Sequence, residues 1–331
     1  MTIPARAPKS ARRPAGSVRW ASWLFVPWLI LGTVLVSIQG WPDGPVPAAR
    51  AVLYDLHLSA RRALLLASVK EMSTAETRRF VVHYEAADAS WVPVILECAD
   101  GSWEAVARRL GWTPLTAEGE RVHIIIYPDP APLERQFGPE AGFRALGAYW
   151  CGVIQLLSPR VWLSPEPSTG SARAFWAEGP FVHEYTHYVL DRLIPYGNYP
   201  RWLSEGLAQY VEHKETGYVW LDETNTIRPP VREAGLYRLI DLQRSFDRLP
   251  NTALAYRQAF LLVAYLEDTV GWSGINDLLR RLARLERFEE ALQAVTGLTL
   301  SELEENWLEW LDLSLGWESG GRPTGKEGPA N

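Results

Sequence analysis

Residues 180–193 read Pro180-Phe181-Val182-His183-Glu184-Tyr185-Thr186-His187-Tyr188-Val189-Leu190-Asp191-Arg192-Leu193. The stretch predicts a helix, with Pro180 at a first position where its missing N–H costs nothing. His183 and His187 are four residues apart, so they lie one turn apart on one face and both imidazoles can reach one ion. Glu184 points about 100° away, where it can hold a metal-bound water rather than the metal. With six histidines in 331 residues, chance placement gives on the order of 0.01 such His-Glu-x-x-His motifs. Apolar Phe181 and Val182 precede the motif, which sets it apart from a charged surface run.

A catalytic zinc needs a third protein ligand and keeps its fourth position for water. A third histidine six residues after His187, with a glycine midway, is not available, because those positions are Leu193 and Leu190. Downstream, Pro200-Arg201-Trp202-Leu203-Ser204-Glu205-Gly206-Leu207-Ala208-Gln209-Tyr210 opens a second helix. Leu203, Leu207, Tyr210 and Val211 form its apolar face, while Glu205 and Gln209 share another. The connection through Pro195, Gly197, Asn198 and Pro200 lets this helix fold back on the first, so Glu205 can complete a set of two histidines and one glutamate. Glu212 and His213 are the substitutes.

HEYTH, followed 18 residues later by the glutamate of WLSEGLAQYVE, resembles the gluzincins, the thermolysin-like zinc metallopeptidases. More closely it resembles the bacterial peptidase-MA-like domains, over about residues 79–311. The resemblance includes FVVHYE, the IIIYP strand, GAYWCGVIQLLSP, AYRQAFLLVAYLE and TLSELEENWLEWL. It implies a zincin-like α+β fold, in which a small mixed sheet and an active-site helix precede a helical C-terminal subdomain. It also implies one zinc ion on His183, His187 and Glu205, with Glu184 as general base. In several gluzincins the residue four beyond the ligand glutamate is a carboxylate that orients a ligand histidine; here it is Gln209, which predicts weaker metal binding.

The chemistry that follows is hydrolysis of a peptide bond by Glu184-assisted attack of zinc-bound water. The stretch Gly147–Leu157 resembles the edge strand that binds extended substrate in this family, an arrangement suited to sequence-tolerant recognition, with an interior strand as the equal alternative from the residues alone. Gluzincins add a Tyr or His that stabilises the oxyanion. Tyr256 occupies the corresponding stretch, with Tyr185, Tyr188 and His213 as rivals and ordinary helix packing as the alternative for Tyr256.

Upstream, Arg79–Glu85, Arg121–Pro128 and Gly147–Leu157 read as strands, with a helix over Ser90–Leu110 between the first two. A helix over Leu53–Met72 precedes them. From Pro180 onward the chain reads as helical. Ile275, Leu278, Leu279, Leu282 and Leu285 make one apolar stripe. Leu303, Trp307, Trp310 and Leu311 make another, behind a capping box of Thr299 and Glu302. A small sheet followed by a helical half is an α+β arrangement.

The formal charge is -6, unevenly spread. Residues 1–42 hold Arg6, Lys9, Arg12, Arg13 and Arg19 and no acid, which leaves -11 for residues 43–331. An acidic body argues against nucleic acid as a partner. Trp20–Ile38 is 19 residues without a charge, long enough for a membrane-spanning helix. With the basic flank it predicts a signal-anchor: residues 1–19 cytoplasmic, 20–38 transmembrane, 43–75 a juxtamembrane linker and helix, 76–315 an extracytoplasmic peptidase domain and 316–331 a disordered tail. A cleaved signal peptide shares the basic flank, but Ala49-Arg50-Ala51, which fits a cleavage pattern, lies far beyond the apolar run.

Two cysteines exclude a disulfide-dense scaffold and a four-cysteine metal site. Cys98 and Cys151 read as buried thiols, with a disulfide as the alternative. Peptide deformylases also combine a cysteine with this histidine motif, but YWCGV does not match theirs. Arg280, Arg281, Arg284 and Arg287 interleave with Glu286, Glu289 and Glu290 as a solvated face. An intramembrane protease would need the motif inside an apolar span, and Glu178, Asp191 and Arg192 flank it. The expected protein is a zinc metallopeptidase acting on peptides or proteins. The alternative is a zinc-binding, non-hydrolytic envelope scaffold, in which Glu184 has no chemical task.

Overall fold

The computed structural model describes residues 47–112, 121–137, 146–221, 223–228 and 235–319. The chain divides into two compact units, residues 1–57 and 58–331. The described part of the first is the opening of helix α1, Pro47–Ser68, which continues into the second.

The second unit contains a five-stranded mixed sheet of order β1-β2-β3-β5-β4. The strands are β1 (Ser73–Glu76), β2 (Phe80–Tyr84), β3 (Val122–Tyr127), β4 (Gly147–Trp150) and β5 (Val153–Leu157). Strands β2, β3 and β5 are parallel, and β1 and β4 are antiparallel edges. The parallel strands are covered on both faces, which is why IIIY and VIQLL are near-continuous apolar runs. Phe80, Val82, Ile124, Ile126, Ile154 and Leu156 enter the main core, while Ile125, Tyr127, Val153 and Leu157 enter a smaller one with Val69 and Leu133. The alternation follows from the two-residue period of a strand.

Helix α2 (Val92–Arg109) follows β2, and α3 (Ala131–Phe137) follows β3. After β5 come α4 (Pro159–Trp162), α5 (Thr169–Glu178), α6 (Phe181–Leu193) and α7 (Arg201–Thr216). The C-terminal half adds α8 (Leu239–Ser245), α9 (Thr252–Ala283), α10 (Phe288–Thr296) and α11 (Leu300–Ser319). Trp91, Trp202 and Trp307 are fully buried, the placement expected of large apolar rings. The described residues therefore form an α+β, zincin-like fold.

The expected helices over 90–110, 180–193 and from 200 onward are present, as is the Thr299–Glu302 capping box, with Thr299 N–H donating to Glu302 Oε2 at 2.8 Å. Other expectations need correction. Gly147–Leu157 is not one strand but the hairpin β4–β5, turned by Cys151 (φ 52) and Gly152 (φ 79). Two successive left-handed residues suit a two-residue hairpin turn, and cysteine is an uncommon occupant of the first position. Leu285 leaves its predicted stripe, because α9 ends at Ala283 and Leu285 takes φ 65 with 38% exposure. Helix α11 runs through Ser319, past the expected start of the tail at 316; residues 320–331 lie outside the described residues. Cys98 and Cys151 are free and buried, and burial pushes both thiols up to about 12.

The expected membrane placement is also corrected. Among the described residues no helix is long and apolar enough to cross a membrane. Helix α1, the first described, carries Arg50, Asp55, Arg61 and Arg62. The expected span 20–38 and its flank 1–19 lie outside the described residues. The single-pass, extracytoplasmic assignment is therefore withdrawn.

Candidate metal centre and its surroundings

Helices α6 and α7 pack as an antiparallel pair because the chain between them turns sharply. Helix α6 stops at Ile194, ahead of Pro195, and Tyr196 (φ 70) and Gly197 (φ 59) reverse direction. Asn198 Nδ2 anchors the turn by donating to the carbonyls of Leu282 and Glu286, both at 3.1 Å. The crossing of α7 over α9 is close: a Cβ on Gly206 would stand 2.3 Å from the carbonyl oxygen of Ala259. Glycine is therefore required beside Glu205.

This packing brings His183, His187 and Glu205 together. Nε2 of His187 lies 3.2 Å from Nε2 of His183, and Glu205 Oε2 lies 3.4 Å from the His183 nitrogen and 3.5 Å from the His187 nitrogen. A tetrahedral ion with bonds of about 2.0–2.1 Å separates its ligands by about 3.3–3.4 Å. The triangle thus fits a zinc-sized ion in both spacing and donor type. Glu205 is 2% exposed, and its buried charge is paired with Arg201 through Oε1, which leaves Oε2 to face the two imidazoles.

Each donor is held from behind. With His187 Nε2 as the acceptor facing the triangle, its Nδ1–H donates to Ser204 Oγ at 2.9 Å. Glu212 Oε2 lies 3.6 Å from His183 Nδ1. Arg201 donates to the second oxygen of Glu205, Oε1, at 2.8 Å. Burial alone pushes the Glu205 carboxyl up, but the Arg201 guanidinium and the two histidines outweigh it and hold it well below the usual range. Burial likewise pulls His183 down, and Glu205 and Glu212 overcome that to raise it well above its ordinary value.

Glu184 is 8% exposed on α6 and its main-chain neighbour is the edge strand. Burial raises its pKa, against the pull of His183 and His187, and the Tyr149 N–H donates to its carboxylate. The same Tyr149 donates its hydroxyl to Asp191 Oδ2 at 2.6 Å, further along α6. Strand and helix approach closely: a Cβ on Gly147 would stand 2.8 Å from Pro180 Cβ and 3.1 Å from Glu184 Cγ.

Tyr256 lies beside the triangle. Arg201 hydrogen-bonds it, and Glu205 and Glu184 add to the burial that raises its pKa, so its hydroxyl keeps its proton. The rivals are placed elsewhere. Tyr185 and Tyr188 stack on one another within the core at 5.7 Å, and His213 Nδ1 hydrogen-bonds the Tyr218 carbonyl. Gln209 does not orient a histidine. Its Nε2 donates to the carbonyls of Tyr256 (3.0 Å) and Glu205 (3.3 Å). Four contributors were not singled out by the sequence reading: Arg201, Ser204, Tyr149 and, as an orienting group, Glu212. Arg201 carries a readable signal, the i,i+4 spacing from Glu205; Tyr149 acts here through its main chain and carries none.

The fold and the donor triangle fit a metallopeptidase-type domain. Residues 168–313, which hold both donor helices, match the family model of the peptidase MA superfamily. No curated protein matches the chain.

Proposed function

We propose that the protein is a zinc-dependent peptidase of gluzincin type, with His183, His187 and Glu205 as the zinc ligands and Glu184 as the general base. The observation that carries the reading is the donor triangle, whose three edges match those of a tetrahedral zinc site. A zinc ion there supplies Lewis acidity to the scissile carbonyl and to water. Glu184 removes the proton of the attacking water and delivers it to the departing amine. Burial raises its pKa above the ordinary carboxylate value, which favours its holding the proton between the two transfers, and the Tyr149 N–H fixes the carboxylate while they occur.

Tyr256 is suited to stabilise the oxyanion. Arginine only donates hydrogen bonds, so the Arg201 contact is accepted by the Tyr256 oxygen and the phenolic proton is left to point elsewhere. Substrate recognition suits β4. Leu157 N–H donates to the Leu146 carbonyl at 2.8 Å, so alternate residues Gly147 and Tyr149 direct their main-chain groups to the outer edge, where the Tyr149 N–H is taken by Glu184 and the Gly147 groups and the Tyr149 carbonyl face outward. An extended peptide can add there as a further strand.

The test compares the full chain with Glu184→Gln for bound zinc and for cleavage of a broad peptide library. Both should bind stoichiometric zinc, and the variant should lose about 10²–10⁴ in rate. Bound zinc with no cleavage by either would favour a non-hydrolytic zinc scaffold. No zinc after reconstitution would remove the ligand assignment.

A further inference from the structure

We propose that Arg201 is a positioning residue that confines Glu205 to ligation through one oxygen and so keeps the metal centre open to substrate. The proposal rests on the zinc-peptidase reading above. The two oxygens of Glu205 have different surroundings. Oε2 faces both histidine nitrogens at 3.4 Å and 3.5 Å, whereas Oε1 is 2.8 Å from a guanidinium nitrogen of Arg201. A carboxylate not so divided can chelate an ion with both oxygens. The second oxygen would then take the position that a catalytic zinc keeps for water or substrate.

Arg201 is itself fixed from other directions. Its Nε lies 3.4 Å from Asp247 Oδ1, and it hydrogen-bonds Tyr256. The Tyr256 ring packs against Phe246 with centroids 5.3 Å apart. The segment carrying Phe246 and Asp247 therefore braces the arginine, and the arginine braces both the ligand and the candidate oxyanion donor. A planar guanidinium is suited to this, since its donors are directional and it stays charged at any working pH.

Charge makes the role separable from simple site building. Arg201 repels a dication bound to Glu205. A residue that merely assembled the ligands would weaken zinc binding on removal, by about 10–100-fold where an orienting partner is lost. Loss of Arg201 instead relieves a repulsion and frees Oε1 for the ion. The two accounts predict opposite signs.

The experiment uses the full chain as wild type, Arg201→Met, Arg201→Lys and Asp247→Asn, each loaded with zinc or cobalt(II). Zinc affinity is measured by competition with a chelator, and coordination number by the intensity of the cobalt d–d bands, which weaken as four-coordination becomes five. For Arg201→Met we expect unchanged or tighter zinc binding, weaker cobalt bands and turnover lower by about 10–100-fold. Arg201→Lys should recover part of both changes. Asp247 is 72% exposed, so Asp247→Asn folds readily and should show smaller changes in the same direction even where Arg201→Met does not fold. Wild-type cobalt bands in these variants, or zinc loss in Arg201→Met matching that of Glu205→Gln, would overturn the proposal. Absence of zinc from the wild type would instead overturn the peptidase reading.

Discussion

Glu212 Oε2 stands 3.6 Å from His183 Nδ1, two helical turns beyond Glu205 on α7, while Gln209 at one turn faces the Tyr256 carbonyl. The orienting carboxylate is thus displaced by three residues from the position that the sequence comparison indicated. Glu212→Gln should lower zinc affinity about tenfold, because an amide supports the imidazole N–H less strongly. Gln209→Ala should leave affinity within about twofold and cost about 1 kcal/mol of stability through the lost hydrogen bond. Chelator competition and thermal melts separate the two.

Gly147 lies where any side chain would collide with Pro180 and press on Glu184. Gly147→Ala should lower kcat by about 10²-fold, the scale expected when a reacting group shifts by about 1 Å. Zinc content should not change, since none of the proposed ligands is on the strand. A variant with wild-type kcat would show that the strand does not set the position of Glu184.

At Gly206 the close neighbour is backbone, the Ala259 carbonyl, which no rotamer change can move. Gly206→Ala should destabilise the protein by about 1–3 kcal/mol and loosen zinc, because Glu205 is the adjacent residue. A melting temperature equal to the wild type would contradict the close crossing of α7 and α9.

Glu267 supplies a pH dependence away from the metal centre. Lys214 Nζ lies 2.8 Å from its carboxylate, and Tyr210 donates its hydroxyl to it. Burial pushes the carboxyl up, but these two contacts outweigh it and lower the folded-state pKa. The stabilisation is therefore fully present above the ordinary glutamate value of about 4.3 and disappears as pH falls through the folded-state value. Glu267→Gln should cost about 0.5–1 kcal/mol at neutral pH and progressively less in acid. Denaturant melts across pH would test it, and a cost independent of pH would contradict it.

What the sequence made legible was whatever depends on local spacing. His183, Glu184 and His187 follow from one helical turn, and Glu205 from a short Pro- and Gly-containing connection. The parallel strands β2 and β3 announced themselves through runs rich in β-branched and aromatic residues. The features that escaped depend on encounters between elements. Strand β1, Ser73–Glu76, is polar and largely exposed, so no apolar alternation marks it. The β4–β5 turn places a cysteine at φ 52, against its ordinary preference. Helix α9 is interrupted at Gly271 (φ 66, ψ 176), although the apolar pattern continues through it. The Tyr149–Glu184 contact is made by a main-chain N–H, to which the side-chain alphabet is blind.

The strand pairings and the donor hairpin also differ in how far apart their parts lie along the chain. His183, His187 and Glu205 come from two consecutive helices joined by one tight turn. In the sheet, by contrast, Phe80 must find Val122, and His123 must find Val153. Local helical contacts form early, and distant parallel pairings must first overcome loop-closure entropy. The expected order of assembly is donors before sheet. Pulsed hydrogen exchange during refolding should protect the amides of 183–193 and 203–215 ahead of those of 122–127 and 153–157. On the proposed reading, the metal ligands would then be assembled before the edge strand reaches Glu184, so metal binding would precede completion of the site.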